Sequence, residues 1–215
     1  MPELQTLLPL TPSPRVQSLI EGSNADLLRA VADLYLNPSD RIADLTYGKG
    51  VFWRHCPELN VTGSDLITVP DRPYDFTATP YEANSFDVAV LDPPYIHSWS
   101  THQTEARYQG NTTHAKGMDG IWELYRAGMV EAIRITRPGG RLLVKTKDTV
   151  ESGRQRWSHI HLANVATELG LYLRDLFILK TAGPCERRWD GLEQKHSRKN
   201  ISYLLVLDRG GRGNG

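Results

Sequence analysis

The stretch FDVAVLDPPY, residues 86–95, decides the fold. From Phe86 to Leu91 only Asp87 is polar, and the run then meets Asp92, two prolines and Tyr95. A short apolar run bounded by breakers reads as a strand buried on both faces, the pattern of a parallel sheet covered by helices. Proline fixes its own φ, removes an N–H and pushes the preceding residue into extended geometry. Asp92 and Pro93 are each followed by proline, so the strand ends in a rigid corner with few donors. The Asp92 carboxylate and the Pro93 carbonyl are then two fixed acceptors able to point the same way.

The flanking sequence alternates strand and helix signals. SNADLLRAVADLYL (23–36) puts Leu27, Leu28, Val31, Leu34 and Tyr35 on one helical face, with Ser23 or Asn24 as N-cap. RIADL (41–45) and NVTGSDL (60–66) read as strands, with VFWRHC (51–56) starting a short helix between them. Downstream, GIWELYRAGMVEAIRIT (120–136) is a helix stopped by RPGG, and RLLVKTK (141–147) is a strand. RWSHIHLANVATELG (156–170) is a helix ended by Gly170, and YLRDLFILK (172–180) and ISYLLVLD (201–208) are strands. This predicts one α/β domain over 1–215, with a mostly parallel sheet and helices on both faces. The last two strands have no helix between them and are expected to pair antiparallel at the edge. Pro2, Pro9, Pro12 and Pro14 make 1–22 read as an irregular N-terminal arm, and 208–215 reads as a disordered tail.

Basic and acidic residues number 25 each and the pI is about 7.1, so any nucleic-acid contact needs local basic patches rather than a global field. Cys56 and Cys185 form no ligand-spaced cluster, which argues for reduced thiols in a cytoplasmic protein with no disulfide and no zinc site. No apolar run approaches the ~20 residues of a membrane span. No basic start with an apolar core marks a secretory signal.

Open sheets of this kind bind ligands beyond the carboxyl ends of their strands, where Asp44, Asp65 and Asp92 all fall. In DLTYGKG (44–50), Gly48 and Gly50 let the backbone turn sharply and a ligand approach closely. A third glycine is missing, and Phe52 and Trp53 crowd the place of a pyrophosphate, so the turn does not match a dinucleotide fold. Asp65 follows Asp44 by 21 residues, where an acid grips two ribose hydroxyls. Asp75 suits an adenine amino group and Phe76 suits its ring. A nucleoside without diphosphate fits this set. At the corner, two acceptors can hold both N–H groups of an exocyclic amine and favour the tetrahedral geometry that develops as the nitrogen attacks. Tyr95 offers a flat face to a base, a contact worth roughly 1–3 kcal/mol. The structural alternatives are a proline-capped strand, a plain glycine turn and a core Phe76.

Through Asp92-Pro93-Pro94-Tyr95 and the strand-borne Asp-x-x-x-Gly-x-Gly of NPSDRIADLTYGKG (37–50), the sequence resembles the S-adenosyl-L-methionine-dependent amino-methyltransferases that act on bases in nucleic acid. The likeness spans roughly residues 23–207 and is greatest to adenine-N6 DNA methyltransferases. It implies a Rossmann-like class I methyltransferase fold, a seven-stranded sheet with a reversed last hairpin. It implies Asp44, Thr46, Tyr47, Gly48 and Gly50 at the methionine end of the cofactor. Asp65 and Leu66 would lie at its ribose, and Asp75 and Phe76 at its adenine. Asp92, Pro93, Pro94 and Tyr95 would hold the target base. Two departures stand out: Thr46 occupies the usual aromatic position, with Tyr47 one place later, and Lys49 replaces a common small hydroxyl residue. The implied reaction is direct in-line transfer with no metal, covalent intermediate or catalytic cysteine, and a duplex target would be flipped from the stack.

Two aperiodic segments, 96–118 and 181–199, are candidate substrate loops. The first carries His97, His102, Arg107, His114 and Lys116 against Glu105 alone, with Trp99 and Tyr108 able to stack on bases. The second carries Arg187, Arg188, Lys195, Arg198 and Lys199 against Glu186, Asp190 and Glu193, with Trp189 in the middle. Basic residues interleaved with aromatics suit phosphates and exposed bases. DNA is the expected partner. Cytosine-N4 methylation of DNA, and guanine-N2 or adenine-N6 methylation of RNA, are the alternatives. A degenerate, non-catalytic relative is disfavoured because Asp44, Gly48, Gly50, Asp65 and Asp92 are all present.

Overall fold

The computed structural model describes residues 15–93, 117–181, 195–197 and 199–210. Its elements begin with β1 (Leu19–Glu21), α1 (Asn24–Tyr35), β2 (Arg41–Asp44), a 3₁₀ helix (Val51–His55), β3 (Asn60–Gly63) and β4 (Phe86–Leu91). They continue with α2 (Gly117–Ile135), β5 (Thr136–Thr146), β6 (Thr149–Glu151), β7 (Arg154–Arg156), α3 (Ser158–Glu168), β8 (Leu171–Lys180) and β9 (Ile201–Arg209). A seven-stranded sheet runs in the order β1-β8-β9-β5-β4-β2-β3. β3, β2, β4 and β5 are parallel, β1 is parallel to β8, and β9 runs antiparallel to both β5 and β8.

The last two strands pair antiparallel as expected, but not at the edge. Seven of the nine residues of β9 are buried, so it needs neighbours on both sides and lies between β5 and β8. The edge beyond β8 is taken by β1, which pairs Leu19 with Ile178 and Glu21 with Lys180. Residues 19–21 therefore supply the seventh strand from within the stretch read as an irregular arm. A hairpin of β6 and β7, absent from the sequence reading, turns at Ser152 (φ 49°) and Gly153 (φ 74°). Two successive positive φ values suit a tight two-residue hairpin turn.

The sheet is buried by helices on both faces. Along β4, Ala89 and Leu91 face a layer with Tyr125 and Met129 of α2 and Leu162 of α3, while Val88 and Val90 face Leu27, Leu28 and Val31 of α1 and Phe52 and Trp53 of the 3₁₀ helix. This period of two is the strand signature that the apolar run carried. Ser23 caps α1 in a capping box with Asp26. Leu34 departs from the expected face and is 53% exposed, because Ala25 and Ala32 shift the buried arc toward Leu28. RPGG does stop the helix, but β5 begins at once: Phe86 pairs with Thr136 and Val88 with Arg141, leaving Arg137–Gly140 as a bulge. Gly140 is required there, since a Cβ would lie 2.5 Å from the Asp87 carbonyl oxygen. Among the described residues, no helix is long and apolar enough to cross a membrane, and no group of His, Cys, Asp or Glu is placed to hold a metal ion.

Candidate active site

Because β2, β3 and β4 are parallel, their carboxyl ends open on one edge, and Asp44, Asp65 and Asp92 follow from that edge. A cleft of about 460 Å³ lies there, within the usual range of small-molecule sites. Its lining includes Thr46, Gly48, Asp65, Leu66, Asp75, Phe76, Asp92 and Pro93, eight of the residues singled out by sequence. Lys49, Ile67, Thr68 and Tyr74 also line it.

The glycine-rich turn is built on Asp44. This side chain is 3% exposed and accepts from the Thr46 N–H at 3.0 Å and from Trp53 Nε1 at 2.7 Å. Burial pushes its carboxyl up to about 7; Trp53 and Thr46 oppose the rise, and the charges of Asp92 and Asp65 add to it. Gly48 and Gly50 have φ of 56° and 67°. Gly50 meets a second demand: the Tyr47 ring packs beneath it and against Gly63, where added Cβ atoms would lie 2.6 and 2.4 Å from that side chain. Tyr47 thus supports the turn from behind, away from the residues that line the cleft.

Asp65 is fixed by its own loop. Its Oδ1 accepts from the N–H groups of Ile67 (3.0 Å) and Thr68 (2.8 Å), and Oδ2 from Gly48 N–H at 3.3 Å. Burial raises its carboxyl, but these amides outweigh it and hold the group below the ordinary range. Oδ2, with a single long partner, retains capacity for hydroxyl donors. Asp75 closes a turn on Thr77 through Oδ1 alone, at 2.9 Å to the N–H and 2.8 Å to the hydroxyl. Phe76 is both core and cleft wall: it is 6% exposed and its ring lies against Gly128 of α2.

The corner after β4 is tied down from the glycine turn and from β5, and α2 braces the β5 residue that holds it. The Asp92 N–H donates to Thr46 Oγ1 at 2.7 Å, so the residue in the unusual position joins the glycine turn to the corner. Lys145 of β5 places Nζ 3.3 and 3.4 Å from the two Asp92 carboxylate oxygens, with its side chain 4% exposed. Burial pulls the Lys145 ammonium below its usual range, against the opposing pull of Asp92. Tyr125 of α2 donates its hydroxyl to the Lys145 carbonyl at 2.8 Å and lies 3.4 Å from the Pro93 carbonyl oxygen. A hydroxyl has one proton and the shorter bond takes it, so Pro93 oxygen keeps its accepting capacity. Sequence reasoning missed Lys145 and Tyr125. The one signal for Lys145 was a lone charge inside the apolar strand LLVKT.

Pro94, Tyr95, His97, Trp99, Arg107, Lys116, Arg187, Arg188 and Arg198 lie outside the described residues. Lys195 is exposed, and Lys199 sets its ammonium 4.7 Å from the centre of the Trp157 ring, itself 47% exposed.

No protein-family model and no curated protein sequence matches the chain. Solved structures do match. A protein of Bacillus halodurans assigned as a methyltransferase aligns with a TM-score of 0.55 at 14% identity, over 88% of this chain and 100% of its own. TrmN from Thermus thermophilus gives 0.53 at 16% identity, over 86% of this chain and 48% of its own, so the chain spans about half of that protein. The [4+2]-cyclase SpnF gives 0.53 at 14% identity, over 86% of this chain and 80% of its own. The chain has the Rossmann-like class I methyltransferase fold. A cyclase on the same fold shows that the fold serves more than one chemistry, so function must be argued from the site.

Proposed function

We propose that the protein is an S-adenosyl-L-methionine-dependent methyltransferase acting on the exocyclic N6 amine of adenine in DNA. The observation that carries this reading is the corner: a carboxylate held from the glycine turn and β5, and the peptide carbonyl next to it, stand at a nucleoside-sized cleft. The lining suits the cofactor. Asp65 Oδ2 retains capacity for the ribose hydroxyls, and Asp75 binds its turn through one oxygen only. Gly48 in the left-handed region leaves its backbone open to close approach. When bound, S-adenosylmethionine supplies a methyl group activated by a positively charged sulfur.

Asp92 and the Pro93 carbonyl accept hydrogen bonds from the two N–H groups of the target amine and turn its lone pair outward; one of these protons leaves the nitrogen once the methyl has been transferred. The negative charge of Asp92 opposes the positive charge that grows on that nitrogen, which stabilises the transition state more than the ground state. Tyr95 is assigned to the face of the target base on the strength of the Asp92-Pro93-Pro94-Tyr95 resemblance alone. The basic side chains of segments 96–118 and 181–199, Lys195 and Lys199 among them, are assigned to phosphates.

Incubation with radiolabelled S-adenosylmethionine and unmethylated duplex DNA, single-stranded DNA or bulk RNA tests the reading. Label is expected in DNA, and digestion to nucleosides is expected to yield N6-methyldeoxyadenosine. Label in RNA alone, or on cytosine N4, overturns the substrate assignment; label in none overturns the enzyme. Asp92→Ala should lower transfer on the order of 10²–10³-fold, while cofactor affinity measured by calorimetry is retained.

A further inference from the structure

We propose that Lys145 is a positioning residue that keeps Asp92 ionised and oriented toward the incoming amine. The inference rests on the reading of Asp92 as the amine acceptor. Lys145 leaves β5 on the same face as Leu143, and its ammonium reaches both Asp92 oxygens at 3.3 and 3.4 Å. A buried ammonium this close to both oxygens fixes the carboxylate plane. Its stem is held in turn. The ammonium lies 5.6 Å from the centre of the Phe52 ring, and the Lys145 carbonyl accepts from the buried Tyr125 hydroxyl.

The edge needs such a charge. Asp44, Asp65 and Asp92 converge at neighbouring strand ends, close enough for Asp92 and Asp65 to raise Asp44. Carboxylates gathered in a partly buried edge favour protonation of one another. A protonated Asp92 would present a donor where the amine also presents donors, and the acceptor function would be lost. Lys145 supplies the opposite charge at the carboxylate that must accept from the target amine. Among the described residues, the other titratable groups around the cleft and Asp92 are Asp44, Asp65, Tyr74, Asp75, Lys49, Lys147 just past β5 and Tyr125 from α2. All are present in the variants below, so a change in titration reports on Lys145.

The test compares wild type with Lys145→Met, which removes the charge, and Lys145→Arg, which keeps it. In Lys145→Met the acid limb of kcat is expected to move to higher pH by about 1–3 units, with activity recovering as pH rises. In Lys145→Arg the limb should stay in place. In parallel, carbon NMR of carboxyl-labelled aspartate should show the Asp92 resonance titrating at higher pH in Lys145→Met than in wild type. Lys145→Gln gives the same two readouts should the methionine variant fail to fold. A loss uniform across pH, with the Asp92 resonance unmoved, overturns the proposal and leaves Lys145 a packing residue. If wild type labels no nucleic acid, the methyl-transfer reading falls, and the NMR titration still decides the role of Lys145.

Discussion

At the scale of single residues, Asp44 shows how burial sets chemistry. Its carboxyl is pushed up to about 7, against an ordinary 3.8. A folded-state value above the unfolded one means the fold binds an extra proton between these limits. Its contribution to stability is therefore full at low pH and is lost as pH rises through about 7. A cationic ligand group beside Asp44 favours the charged form and expels that proton. S-adenosylmethionine binding is thus expected to release a proton below about pH 7 and to tighten as pH rises toward that value, levelling off above it. Calorimetry in buffers of different ionisation enthalpy measures the release directly. A heat of binding independent of buffer below that pH would remove Asp44 from the methionine end of the site.

At the scale of elements, the cleft wall depends on how α2 meets the sheet. Gly128 brings the helix close enough for Phe76 to pack on its backbone: a Cβ there would lie 2.7 and 2.8 Å from ring carbons. Gly128→Ala improves helix propensity by about 1 kcal/mol, but overpacking costs about 1–3 kcal/mol. The ring is rigid and 6% exposed, and its open side is the cleft. The variant should therefore melt lower and bind cofactor more weakly, by scanning calorimetry and titration; unchanged affinity would show that the ring does not form the adenine wall. What sequence revealed follows the same logic. β4 and β9 were legible because burial on both faces writes a continuous apolar run. The place of β9 inside the sheet was not, since strand order rests on pairing between distant segments. β1 is three residues long, too short to show a period, and the polar β6–β7 hairpin carries no apolar pattern. Asp44, Asp65 and Asp92 were legible from their places at strand ends. The Thr46 bond to the corner and the Lys145 pair were not, because each joins residues 46 or 53 positions apart.

At the scale of the whole molecule, zero net charge leaves no long-range field to gather a polyanion. If the protein acts on nucleic acid as proposed, affinity has to come from a few local contacts, and the edge where the cleft opens is the place to test. Among the described residues, one such place is built from an aromatic series. Tyr203 pairs with Thr146 at the end of β5, one residue beyond Lys145. His159 stacks on Tyr203 with centroids 4.0 Å apart, and Trp157 meets His159 edge-on at 6.4 Å. The exposed Trp157 face then carries the Lys199 ammonium. A base stacking on Trp157 and a phosphate on Lys199 would leave different marks. Lys199→Ala should reduce the slope of log affinity against log salt for single-stranded DNA by about 0.7, the share of one phosphate contact. Trp157→Ala should weaken the same complex by roughly 1–3 kcal/mol and leave the slope unchanged, because stacking releases no counterion. Fluorescence anisotropy across a salt series measures both. Equal slopes and affinities in wild type and both variants would place the nucleic acid elsewhere on this edge, and a lost slope in Trp157→Ala would mean that the indole serves only to hold Lys199.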